Sequence, residues 1–332
     1  MNSETLKEFR QAAYELLVKA KDATFELMDA VMTTRNAACL AEFALSPLFN
    51  RQWSSSYEAL QDSRPDRKKL MVLYIRQLEQ QVPAPEYVLV ALDHTAWGRP
   101  DAKTLKDRTQ EYQDGVVVGQ GYSTIAWIPE AQGSWALPLL HERISSDSSP
   151  IAKAAAQLKQ VCEQLANPVL AVLDREYGNA TWVLAQAQAQ SKADCLMRVR
   201  KNACFWSAPP AYSGRGRPRK HGQKIKLNDP ETWLEPDATL EIDEHPQLGS
   251  VRIQQWQDLH FYRAAGHLVN LILIERIKPM SNGQPFPPLW LAWVGERTLP
   301  LEQVWFKYLR RFGVDHWYRF AHRNDCIGHY LI

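Results

Sequence analysis

Two seven-residue stretches decide how this chain folds: Tyr87–Asp93, YVLVALD, and Pro168–Asp174, PVLAVLD. Each is an unbroken apolar run closed by an aspartate. Unbroken rather than alternating apolarity is what a strand covered on both faces requires, and such strands lie in sheets with helices on either side. The carboxyl ends of parallel strands meet at the crevice where these sheets bind ligands, so two matching ends bring Asp93 and Asp174 into one neighbourhood. A lone aspartate there would read as a turn former. Two at equivalent ends favour a site.

The flanking sequence supplies the rest of a sheet. DGVVVGQGYSTIAWIPE (Asp114–Glu130) and SWALPLL (Ser134–Leu140) read as two more strands at hairpin-like spacing. Ser149 and Pro150 open a helix with Ile151, Ala154, Ala155, Leu158, Val161, Cys162 and Leu165 along one side. A second helix is expected from Asn179 to Ser191, followed by the strand DCLMRVR (Asp194–Arg200). Three strands, a helix, a strand, a helix and a strand make an α/β fold, a mixed sheet with flanking helices. We divide the chain into four parts: an all-helical N-terminal region (1–82) as a DNA-binding candidate, the first part of the core (83–200), a β-rich insertion (201–298) and a last helix (299–332). Leu6, Phe9, Ala13, Leu16 and Leu17 recur at helical spacing in the first part. Its basic residues Arg51, Arg64, Arg67, Lys68 and Lys69 read individually as a solvated face.

Composition narrows the function. The 332 residues carry a formal charge of only +2, so any affinity for nucleic acid must come from local clustering of basic residues. Such a cluster exists: between Cys195 and Asn228 there are nine Lys/Arg and no Asp or Glu. Its centre, GRGRPRKHG (Gly214–Gly222), places Arg215, Arg217, Arg219 and Lys220 where they would attract phosphate. The RGRP core also matches a minor-groove hook, although nonspecific phosphate contact by a solvated loop is the stronger reading. Cysteines 39, 162, 195, 204 and 326 show no metal spacing and read as reduced thiols. Neither a signal peptide nor an apolar run of membrane length is present, and a cytosolic protein is expected.

The final helix, expected as one element from Leu301 to Arg323, adds a third carboxylate. At 100° per residue, Tyr308, Arg311, Asp315 and His322 fall within an arc of about 60°, on a side shared with Leu301, Val304 and Phe312. An inward face that carries a cation, a carboxylate and an imidazole suits a site better than a plain core. Three gathered carboxylates are the oxygen donors that Mg²⁺ or Mn²⁺ prefers, and two such ions suit in-line phosphodiester chemistry.

These residues resemble bacterial insertion-sequence transposases of the DDE type, the cut-and-paste group with a ribonuclease-H-like core. Their signature is Tyr, two residues, Arg, three residues, Glu, six residues, Lys. Here Y308-LR-R311-FGV-D315-HWYRFA-H322 keeps the Tyr, the Arg and every spacing, with Asp in place of Glu and His in place of Lys. The family also sets its first two acids at strand ends and a β-rich insertion before the third. The resemblance implies a transposase that cleaves and joins strands at transposon ends, with Asp93, Asp174 and Asp315 as catalytic and metal-binding acids and Mg²⁺ or Mn²⁺ as cofactor. Tyr308, Arg311 and His322 take the places of phosphate contacts. Double-stranded DNA is the implied partner, a homodimer the implied assembly and the nucleoid the implied location, with no membrane association. The chain ends ten residues past His322, where the family usually continues, so truncation is expected. An inactive or domesticated copy that only binds DNA is the alternative, and a ribonuclease-H-like repair nuclease a weaker third. Of the twelve Trp, those at 206, 233, 256, 290 and 293 lie in the insertion, and most are expected in the core.

Overall fold

The computed structural model describes residues 3–35, 37, 39–84, 86–112, 115–129, 133, 135–245, 249–278, 287–297 and 299–323. The N-terminal helices are α1 (Ser3–Glu15), α2 (Lys21–Thr33), α3 (Trp53–Asp62) and α4 (Arg67–Glu79). Leu27, Ala30, Leu40, Phe43 and Phe49 form a small separate core among α2, α3 and a 3₁₀ turn. In α4, by contrast, Met71, Ile75 and Leu78 join the main core.

The sheet begins with β1 (Val88–Gly98), β2 (Thr109–Tyr112), β3 (Val116–Trp127) and β4 (Leu137–Ile144), in which β1, β3 and β4 make an antiparallel meander. Helix α5 (Pro150–Cys162) follows, started by Ser149, whose hydroxyl accepts from the Ala152 N–H at 3.1 Å. It leads to β5 (Val169–Leu173), α6 (Ala180–Ala189) and β6 (Asp194–Arg198), with β5 parallel to both β1 and β6. The spatial order β4-β3-β1-β5-β6, three antiparallel strands followed by two parallel ones, is the ribonuclease-H-like arrangement. The short β2, which extends a hairpin onto β3, has no counterpart in the sequence reading.

The β-rich block continues this sheet. After the small pair β7 (Cys204–Trp206) and β8 (Lys224–Lys226) come β9 (Ala238–His245), β10 (Gly249–Leu259), β11 (Val269–Arg276) and β12 (Leu289–Val294). Strand β12 pairs antiparallel with β6, and β11, β10 and β9 follow in order, giving ten strands in one sheet among the described residues. An uncovered β6 would offer a row of unpaired backbone groups, and β12, buried almost along its length, satisfies them. Trp256, Trp290 and Trp293 are buried in these strands, as expected for most of the insertion tryptophans.

The two sheet faces hold different cores. Val88, Val90 and Leu92 of β1 pack with α4, α5 and α6, while Leu89 and Ala91 pack with the C-terminal helices α7 (Leu301–Leu309) and α8 (Phe312–Arg323). Where sequence periodicity suggests one helix over 301–323, the chain breaks at Arg310–Arg311. There the N–H groups of Arg311, Gly313 and Val314 bond to carbonyls three residues back rather than four. The break follows from tertiary contacts that no helical period encodes: Arg310 donates to the Ile128 carbonyl at 2.6 Å, and Gly313 passes so close to Trp135 that a Cβ would lie 3.3 Å from its carbonyl oxygen.

Candidate carboxylate site

Alternation along a strand decides where the first two acids point. Odd positions 89 and 91 of β1 and even positions 170 and 172 of β5 face α7 and α8, so Asp93 and Asp174 point the same way. Register does the rest. Val88 stands opposite Val169 and Leu92 opposite Leu173, and the next residue of each strand is Asp93 and Asp174, near enough for the charge of Asp174 to act on Asp93. Helix α8 crosses this face and carries Asp315 in its first turn.

Arg311 ties the cluster together from the break before α8. Its Nη1 donates to Asp93 Oδ2 at 3.4 Å and its Nη2 to Asp315 Oδ2 at 3.0 Å, with the Arg311 side chain 9% exposed, Asp93 15% and Asp315 29%. Its Nε is buried without a hydrogen-bond partner among the described residues. Burial, followed by the charge of Asp174, pushes Asp93 up to about 7; Arg311 and the His94 N–H, 2.8 Å from Oδ1, act the other way, and Asp315 adds to the rise. Burial disfavours the Arg311 charge, but Asp315, Tyr308, Asp93 and Asp174 more than offset it and hold the guanidinium above its ordinary range. The three acids and one cation therefore share a single electrostatic site.

Asp174 also keeps the bland role available to it. Its Oδ1 accepts from the Glu176 N–H at 2.8 Å, closing the turn, and Arg200 clasps Glu176 at 2.8 and 3.0 Å. Turn formation uses one oxygen and leaves the other for the site.

A hydroxyl chain fixes α8 against the strands, and sequence reasoning missed it. Tyr318 donates to the Asp93 carbonyl oxygen at 3.0 Å and lies 2.7 Å from Thr124 Oγ1, which is 2.7 Å from His141 Nδ1. His141 stacks on Tyr122 with ring centroids 5.2 Å apart. Tyr318 follows Asp315 by three residues, a helical spacing that could have disclosed it. Thr124 could be found only from the β1–β3 register, where it faces Asp93.

The other sequence-derived residues spread more widely. Tyr308 lies in the core at 3% exposure, behind Arg311, and burial raises its hydroxyl pKa. The side chain of His322 lies outside the described residues, as do residues 324–332 with Cys326. His94 turns to the opposite sheet face, with Nδ1 3.3 Å from the Tyr177 hydroxyl. Arg215, Arg217, Arg219 and Lys220 are exposed on the loop joining β7 to β8. At its base, Ser207 bonds Gly222 and Gln223, and His221 meets His260 at 2.9 Å while stacking on Tyr262. Gly222 has no room for a Cβ, which would strike the Ala208 carbonyl.

As a donor set the acids fit a divalent cation: all are hard oxygens, and Asp93 and Asp174 both directly follow the last paired rung, Leu92–Leu173. Among the described residues, however, no three acids, imidazoles or thiols are gathered closely enough to hold an ion, and Arg311 contacts both Asp93 and Asp315. Cys39, Cys162, Cys195 and Cys204 are free thiols, and no described helix is long and apolar enough to cross a membrane.

Comparison with known proteins identifies the family. A family model described as DDE superfamily endonuclease matches residues 14–260, which include Asp93 and Asp174. No curated protein matches. A cryo-EM structure of a piggyBac transposase synaptic complex with hairpin DNA aligns with 91% of this chain and 59% of its own, at 11% identity and a TM-score of 0.43.

Proposed function

The chain belongs to the DDE superfamily of endonucleases, and we propose that it is a transposase that cleaves and joins DNA strands at the ends of a mobile element through Asp93, Asp174 and Asp315. The observation that carries this reading is the register by which Asp93 and Asp174 both follow the Leu92–Leu173 rung on one face, under the helix bearing Asp315. Water attack on a phosphodiester would leave a 3′-hydroxyl, which would then attack a phosphodiester of the target. Divalent ions held by the three carboxylates, Mg²⁺ or Mn²⁺ by donor chemistry, would activate the attacking oxygen and stabilise the leaving one. The chain's own residues bind and orient. Arg311, with Tyr308 behind it and His322 further along α8, is assigned to the phosphate beside the scissile bond. Arg215, Arg217, Arg219 and Lys220 grip duplex DNA away from the acids. Two such subunits would hold two ends.

The test uses duplexes that carry the element's own ends, with Mg²⁺. Asp93→Ala, Asp174→Ala and Asp315→Ala should each abolish strand cleavage while leaving duplex affinity within a few-fold of the unsubstituted chain. Cleavage that survives in both Asp93→Ala and Asp174→Ala would sink the assignment. Duplex binding without cleavage by the unsubstituted chain would instead favour an inactive, DNA-binding copy.

A further inference from the structure

Arg311 is placed where a phosphate contact would not be expected to rest. Its two terminal nitrogens donate to Asp93 Oδ2 and Asp315 Oδ2, its side chain is nearly buried, and its Nε has no partner among the described residues. We propose that Arg311 is a resident counter-cation of the carboxylate site, occupying the acids until a divalent ion displaces it, and that its release to a DNA phosphate couples DNA binding to metal binding. The inference rests on the assignment of the three acids as metal ligands.

Three features carry it. A guanidinium and a divalent ion would compete for the same atoms, Oδ2 of Asp93 and Oδ2 of Asp315. Arg311 contacts both acids at once, so a metal taking those two oxygens would have to displace the guanidinium. The guanidinium is also incompletely satisfied where it sits: among the described residues the buried Nε–H lacks an acceptor, which a phosphate, with several oxygens, could supply. Arg311 lies in the break between α7 and α8 rather than within a helix, so a change of backbone torsion there need not disrupt a helical turn. Since coupling is reciprocal, a duplex that draws Arg311 away must strengthen metal binding by the same factor by which metal strengthens duplex binding.

Calorimetric titration with Ca²⁺, which takes the same class of oxygen ligand and allows DNA to be present, separates the outcomes. Without DNA, Arg311→Gln should bind Ca²⁺ at least about tenfold more tightly than the unsubstituted chain, because a competing cation has gone while three carboxylates remain. Arg311→Lys, which keeps one charge but cannot bridge two acids, should fall between them and serves if the Gln variant fails to fold. A duplex should tighten Ca²⁺ binding by the unsubstituted chain and leave Arg311→Gln unchanged. Equal or weaker Ca²⁺ binding by both Arg311 variants would overturn the proposal. Asp93→Asn and Asp174→Asn guard the underlying assignment: if Ca²⁺ affinity survives in both, the acids are not the ligands, and that failure is distinct from the first.

Discussion

Replacing Tyr318 by Phe removes one oxygen from the interface between α8 and the strands and leaves the ring in place. That oxygen is 3.0 Å from the Asp93 carbonyl and 2.7 Å from Thr124 Oγ1, and the residue is almost wholly buried. A neutral buried hydrogen bond contributes about 1 kcal/mol net, and an unsatisfied buried partner costs about 1–3 kcal/mol. Thr124 can still bond His141, so the loss falls mainly on the Asp93 carbonyl. The expected destabilisation is about 1–3 kcal/mol, seen in urea denaturation as a lower midpoint with an unchanged slope. Because Tyr318 lies one turn beyond Asp315, the third acid should also lose its fixed distance from the first, and end cleavage should fall about tenfold or more. Thr124→Val tests the network: in a double-mutant cycle the two substitutions should be non-additive by at least about 0.5 kcal/mol. If Tyr318→Phe leaves both midpoint and cleavage unchanged, or if the cycle is additive, Tyr318 is a packing residue and the positioning argument is wrong.

Further expectations follow from the same site and its basic loop. Asp93, held up to about 7 by burial and by Asp174, binds its proton more tightly folded than unfolded. In a chelator, its contribution should therefore lower stability as pH rises from the ordinary carboxylate range near 4 to about 7, then level off. Asp93→Asn should remove that slope, and an unchanged pH profile in this variant would contradict the assignment. Neutralising Arg215, Arg217, Arg219 and Lys220 together should flatten the dependence of duplex affinity on salt by up to about 3–4 units of log–log slope, as fluorescence anisotropy would measure. Gly222→Ala, which forces the base of that loop away from Ala208, should weaken duplex binding while cleavage of bound ends stays intact.

Much of this was legible because burial leaves a simple trace. YVLVALD and PVLAVLD had to be apolar on both sides, and their two aspartates had to lie where the apolar run ended. The spacing from Arg311 to Asp315 likewise put the two on one helical side, and they are ion-paired. What was not legible depends on partners distant in sequence. The break at Arg310–Arg311 is made by Ile128 and Trp135, and the partner of Arg311 is an acid more than two hundred residues away. Continuation of the sheet from β6 into β12 is equally silent, because a strand's apolar pattern says that it is covered, not which neighbour pairs with it.

The matched places of Asp93 and Asp174, each one residue past the last paired rung, have a consequence for how such a chain can change over generations. A parallel pair fixes which residues face one another but is indifferent to the length of chain that connects them. Residues can be gained or lost in the hairpins and loops between β1 and β5 without disturbing the acids. A single residue inserted within either strand would turn one carboxylate to the opposite sheet face. Mutational drift should therefore scatter the distance between the acids among relatives while guarding each apolar run to the residue.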